Sequence, residues 1–90
     1  MRGRPAVDGE AMVGTDVPLG HLPIGSDGIV MGYSTDVGVR RFVEMGFVPG
    51  TRVTAIRTAP LGDPVEYAVM GSRVSIRRSD ADLVIVREVT

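Results

Sequence analysis

Cysteine is absent from this 90-residue chain and so is lysine, all ten basic residues being arginine. The first absence removes disulfides, thiolate metal sites and a cysteine nucleophile together, and it fits a reducing compartment, with the cytoplasm as the default expectation. The second removes a phosphate-binding loop of the G-x-x-x-x-G-K-[ST] type and lysine Schiff-base chemistry. Long apolar runs are also missing. The longest, LVIV at 83–86, falls far short of the roughly 20 residues of a membrane span or the roughly 7 to 15 of a signal-peptide core, so no membrane insertion is expected. Aromatic residues are scarce, two tyrosines and two phenylalanines, and the formal net charge is -1. Binders of single-stranded nucleic acid normally join net positive charge to stacking rings. No nucleic-acid partner is therefore expected, although Arg52, Arg73, Arg77 and Arg78 could share a surface; Arg77-Arg78 reads as a solvated strand end.

What remains is a chain with 43% hydrophobic residues and 12 glycines, enough for one small domain and no more. Chains of this length bury only about 60% of their unfolded surface, so function belongs on the outside. Residues 1–16 carry glycines at 3, 9 and 14 without helical or strand periodicity and read as a flexible tail. Residues 17–90 are then the folded unit. Ile29, Met31 and Tyr33 alternate with Val30, Gly32 and Ser34 after the turn-rich GSDG, which predicts a strand. Asp36 reads as an N-cap for a short helix over 37–45, with Val39, Phe42 and Val43 on its buried face and Arg40, Arg41 and Glu44 turned outward. Gly46 suits the left-handed residue that ends a helix, and Phe47 can fold back on the last turn.

From there the period changes. VPGT at 48–51 predicts a type II turn leading into a strand over 52–58, and PLGDP at 60–64 is a second turn. Val65, Tyr67 and Val69 form a strand face, Gly71-Ser72 a tight hairpin into Val74 and Ile76 with Arg73, Ser75 and Arg77 outward, and 83–86 a last strand after the polar SDAD. Five short strands and one brief helix favour an all-β fold, a small five-stranded barrel whose closure removes its edges.

The run RRFVEMGFVPGTRVTAIRTAPLGDPVEYAVMGSRVSIRRSDADLVIVREV, with its E-M-G-F-x-P-G-T, A-P-L-G-D-P and S-I-R segments, resembles the ferrous iron transport protein A (FeoA) family over residues 18–88. It departs from the family's usual pattern at Phe42, where leucine is typical, and at Met70, where a charge is frequent. The resemblance implies an SH3-like barrel acting as a cytosolic accessory protein of bacterial ferrous iron uptake. The implied partner is the cytosolic part of a large membrane transporter that carries its own GTP-binding domain; a homo-oligomer stays open. A related barrel forms the C-terminal domain of iron-dependent repressors, so an SH3-like peptide-binding module is the alternative.

Candidate partner-binding residues are Phe42, Met45, Phe47, Leu61 and Asp63. Leu61 in APLGDP either caps one end of the barrel, the commoner outcome, or stands exposed on a stiff corner where binding costs little entropy. Asp63 is expected to stabilise its own turn as an Asx residue. Met45 and Phe47 read mainly as core, with partial exposure near the helix end as the alternative. The lone His21 has only Asp16 and Asp27 as plausible neighbours and lacks paired-histidine spacing, so no metal site and no cofactor are predicted. Without a G-x-S-x-G elbow or a recognisable triad, no catalysis is expected.

Overall fold

The structure, a computed structural model, describes residues 12–89. In chain order the strands are β1 (Met12–Pro18), β2 (Asp27–Tyr33), β3 (Arg52–Thr58), β4 (Val65–Val69), β5 (Ser72–Ile76) and β6 (Val84–Val89). A 3-10 turn, Leu19–His21, follows β1; helix α1, Val39–Met45, joins β2 to β3; and a one-turn helix α2, Arg78–Ala81, joins β5 to β6. All strand pairs are antiparallel, in the order β1-β6-β2-β3-β4-β5.

The expected five-stranded closed barrel is corrected here on both counts. There are six strands, and β1 and β5 are the two edges of one sheet, without a ladder between them. The gap is spanned instead by the 3-10 turn that continues β1 and by α2 that continues β5, which pack on each other. Of the flexible tail expected over 1–16, the part from Met12 onward is instead strand, because Met12–Pro18 pairs with β6; residues 1–11 lie outside the described residues. Periodicity hid β1 because its register on β6 shifts between Val13 and Val17 and Gly14 sits at φ 69°. A strand that slips within its own length shows no steady alternation.

The core is wholly apolar. Tyr67, Phe42, Phe47, Leu19 and Val30 are its largest members, and among the described residues none of the buried ones is charged or polar in kind. β4 supplies the cleanest alternation, with Val65, Tyr67 and Val69 buried and Glu66 and Ala68 half-buried on the other face. Phe47 meets Tyr67 edge to face, with ring centroids 6.2 Å apart and planes at 89°, the arrangement the ring quadrupoles favour.

Helix α1 is held by its ends rather than by its length, since seven residues cannot sustain a helix alone. It starts later than expected: the N-cap is Gly38 at φ 76°, with no side-chain cap, rather than Asp36. The end matches expectation. Gly46 at φ 104° sends its N–H to Val43 O at 3.0 Å, and Phe47 N–H returns to Phe42 O at 2.9 Å, the paired bonds of a Schellman motif, with Phe42 and Phe47 both in the core cluster. A side chain at 46 is barred twice, because a Cβ there would also come within 2.9 Å of Met70 Cγ. Val43, expected inside, is 45% exposed. Only Phe42 of the helix is fully buried, with the Arg41 guanidinium lying 4.7 Å from its ring centroid.

The remaining differences are local. The β4–β5 hairpin turns on Met70-Gly71, at φ 51° and 78°, with Val69 opposite Ser72, instead of on Gly71-Ser72. Positive φ at both turn positions marks a type I′ turn, which matches the twist of the strands it joins. The polar SDAD segment contributes to α2, and the last strand runs over Val84–Val89.

Pairing between β2 and β3 covers only Asp27–Thr54, Gly28–Val53 and Ile29–Arg52. Asp27 reinforces it by accepting Thr54 Oγ1 at 2.7 Å and Arg52 Nε at 2.8 Å. Its carboxyl is held below the ordinary value of 3.8, chiefly by the Thr54 hydroxyl and further by Arg52, against partial burial. A depressed folded-state value means stability that is present above the unfolded pKa and lost as pH falls through the folded one. Asp27→Asn should therefore cost about 1 kcal/mol at pH 7 in urea unfolding, and the gap from the parent protein should close below about pH 4. A gap that stayed constant down to pH 2 would refute this role.

Candidate functional site

The residues between β3 and β4 make a doubly pinned loop. Ala59 N–H reaches Pro64 O at 2.9 Å and closes its base, while Gly62 N–H reaches Ala59 O at 2.8 Å and closes a turn with Pro60 and Leu61 at its corners. Proline at the second position of such a turn presets φ, and the Asp63–Pro64 peptide is cis. Leu61, at the corner of the turn, is 97% exposed. It does not cap the sheet, contrary to the commoner expectation.

The loop is fastened to the rest of the protein from outside. Asp63 Oδ1 accepts the main-chain N–H of Arg78 at 2.9 Å, so Asp63 caps the start of α2 across space instead of its own turn. Arg78 replies with its guanidinium: Nε donates to Gly62 O at 2.8 Å and Nη1 to Gly20 O at 2.5 Å. The solvated strand end expected at Arg77-Arg78 is therefore corrected at Arg78. Its partners are carbonyls 16 and 58 residues away in sequence, which leave no local motif to read.

Close by, Tyr67 donates to Leu19 O at 3.4 Å, a long bond. Burial first, and then the Asp82 and Asp63 charges against that of Arg78, push its hydroxyl up to about 12. It stays protonated throughout the physiological range. Asp82 Oδ1 is buried without a hydrogen-bond partner, and a Cβ on Gly20 would fall 2.2 Å from it. Gly20 therefore has to lack a side chain for the 3-10 turn to sit against α2.

The sequence candidates divide into two groups that the fold separates. Leu61 and Asp63 share the loop that precedes β4. Phe42, Met45 and Phe47 surround the end of α1, which meets Met70 in the hairpin that follows β4. Phe42 and Phe47 are 0% exposed and belong to the core, so neither touches a partner in this conformation; Met45 is half-buried against that core. Exposed apolar side chains at this end include Val43, Val48 and Met70, the last 69% exposed. His21 is exposed. The two carboxylates that had seemed within its reach are engaged elsewhere, Asp16 with Arg87 at 2.6 Å and Asp27 with Arg52. Among the described residues no three His, Cys, Asp or Glu side chains converge, and none of the helices is long and apolar enough to cross a membrane.

A twisted antiparallel sheet with tight turns, a short helix and a stiff exposed loop defines a small SH3-like domain. The chain belongs to the FeoA domain family, whose model matches residues 17–88. It is similar to a FeoA-like protein of Clostridium acetobutylicum solved by NMR, at 31% identity over 82% of this chain and 87% of that one, with a TM-score of 0.75. It is similar also to the FeoA of Stenotrophomonas maltophilia, crystallised with zinc and described as a prokaryotic SH3 domain protein, at 32% identity over 76% and 86% of the two chains and a TM-score of 0.65. A Fe(2+) transport protein A/Fe(2+) transporter FeoB fusion protein of Porphyromonas gingivalis is 52% identical over 42 residues. That match spans 47% of this chain and 5% of the fusion protein.

Replacing Arg78 by methionine keeps most of the stem and removes both guanidinium bonds. The expected result is a loss of about 2 kcal/mol in urea unfolding, together with faster hydrogen exchange at the Gly62 amide. An unchanged Gly62 amide would mean that the loop is held by its own turn bonds alone.

Proposed function

We propose that this protein is a non-catalytic cytosolic accessory of a ferrous iron membrane transporter, docking on the transporter's cytosolic part through Leu61 and biasing its gating or GTP cycle. The observation that carries the reading is the fusion protein, in which a transport protein A and a FeoB transporter share one polypeptide. Physical fusion keeps two domains at high effective concentration, as functional association favours. The loop supports the choice of contact. Leu61 is almost fully exposed, so it gains nothing from the fold. Covering a leucine side chain is worth roughly 1.5 to 3 kcal/mol, and a pinned loop surrenders little entropy on docking. Asp63 remains as a flanking candidate, and Met45, at the end of α1, as a candidate on a separate surface.

The test is a titration of the purified protein against the detergent-solubilised transporter of the same organism, with and without a GTP analogue. Saturable binding is expected. Leu61→Asp should weaken it by about tenfold or more, equal to about 1.4 kcal/mol, while thermal unfolding stays unchanged because the site lies outside the core. An affinity that depends on nucleotide would establish coupling to the GTP cycle by linkage. No binding under either condition would sink the reading, and full binding by a folded Leu61→Asp variant would move the interface off the loop.

A further inference from the structure

The two edges of the sheet are treated differently. β1 continues into the 3-10 turn that packs on α2, whereas β5 makes extensive contact with β4 alone and leaves Ser72, Arg73 and Ser75 exposed. The register states which backbone groups face outward. In a hairpin with a two-residue turn the flanking pair, here Val69 with Ser72, exchanges hydrogen bonds, and every second pair after it does the same. Ser72, Val74 and Ile76 thus spend their amides and carbonyls on β4, while Arg73 and Ser75 direct theirs away from the sheet. The next residue in the outward series, Arg77, already gives its carbonyl to the N–H groups of Asp80 and Ala81, at 3.0 and 2.9 Å. The free edge is short and well bounded.

Charge indicates what fits it. Arg57, Arg73 and Arg77 surround the edge and the adjoining outer face, and the acid among them is Glu66. Arg57 Nε holds Glu66 at 2.6 Å and Arg73 Nη1 approaches the same carboxylate at 3.8 Å, leaving Arg77 exposed without an ion pair among the described residues. Beside Ser75 lies a shallow cleft of about 210 Å³, lined by Arg57, Thr58, Ala59, Pro64, Glu66 and Ser75. Added strands gain affinity from main-chain pairing and specificity from pockets for alternate side chains. Edge and cleft meet at Ser75, and both are flanked by guanidinium groups. A second copy of the chain suits the place poorly, since β5 against β5 would set arginines of both copies side by side, and like charges across strands are destabilising.

From this arrangement we infer that β5 is a strand-addition site for an extended acidic peptide. The peptide pairs with the main chain at Arg73 and Ser75, its carboxylates answer Arg73 and Arg77, and one side chain enters the cleft beside Arg57. This inference stands apart from the Leu61 docking surface and survives its failure.

The probe is a capped peptide of roughly eight residues alternating glutamate and valine, a length that suits one strand, with its lysine–valine counterpart as control. Each is titrated into the isotope-labelled protein and followed by amide chemical shifts and hydrogen exchange. The expected result is saturable shifts centred on Arg73 and Ser75, slowed exchange at those amides, and at least about tenfold preference for the glutamate peptide. The double variant Arg73→Glu, Arg77→Glu should reverse that preference. Ser75→Pro should fold, because proline is tolerated where an edge N–H faces solvent, and should lose the peptide; if it misfolds, the charge-reversal pair still decides. Equal affinity for both peptides, shifts elsewhere, or no saturation would overturn the proposal and leave the arginines as guards against edge pairing. Concentration-dependent protection of the same amides without peptide would overturn it in favour of self-association.

Discussion

An antiparallel sheet whose first and last strands do not pair has an open side, and a domain this small has little core to spare for covering it. Here that side is held by one guanidinium. Arg78 joins the carbonyl of Gly62, in the loop before β4, to that of Gly20, in the 3-10 turn after β1, while its own amide is capped by Asp63. Arginine suits the task because its planar fork serves two acceptors in fixed directions and stays charged whatever the surroundings, where an ammonium would be a single point with a stronger hold on water. It ties the loop and the turn together at α2, beside the packing of the turn on α2 and the Asp63 cap. Around it the chemistry is arranged so that nothing competes: the Tyr67 hydroxyl remains neutral, and Gly20 contributes no side chain to displace the Asp82 carboxylate.

Helix α1 is fixed by a different device. Its Schellman bonds and the burial of Phe42 set its C-terminal turn, and Tyr33 donates its hydroxyl to Phe47 O at 2.5 Å, tying β2 to the residue just past the helix. Tyr33 and Phe42 stack with centroids 6.2 Å apart, and Arg41 covers Phe42 while reaching Asp80 on α2 at 3.2 Å. An exposed ion pair is worth at most about 1 kcal/mol. The ring packing, worth several times that for a buried phenylalanine, therefore dominates, and the salt bridge chiefly directs Arg41.

Features whose cause is local were legible in the sequence. Gly46 followed by Phe47 needs only its neighbours to make a C-cap, and VPGT at 48–51 makes its turn, with Thr51 N–H on Val48 O at 2.9 Å and Gly50 at φ 94°, wherever it occurs. Features whose cause is distant were not. β1 exists because β6 offers it a partner 67 to 77 residues further along the chain, from the Pro18–Ile85 pair out to Met12–Val89, and its slipped register erases the alternation that would betray it. Val43 looks like a core residue by helical spacing, yet so short a helix presents only Phe42 squarely to the sheet. Of the candidate site, the exposed corner at Leu61 was visible as one of two outcomes, whereas Arg78, which makes that corner rigid, looked like an ordinary strand-end charge.

The separation of the two candidate surfaces follows from where stability is kept. At the loop, stability comes from backbone bonds and from Arg78, and Leu61 adds none, so a contact there can be tight without the fold depending on the residue that makes it. At the end of α1 the large apolar side chains are spent inward. A partner arriving at that end would meet Met70, Val43 and the edge of Met45, three side chains that come from two different elements and offer flexible or β-branched surface rather than rings. Aromatic anchors account for a large share of binding energy in protein interfaces, and in this domain the described aromatic residues are packed inside it or half-buried against its core. A contact made by the loop, as proposed, would then rest on preorganisation of a single aliphatic corner, and it would depend on the Arg78 clamp as the loop's position does.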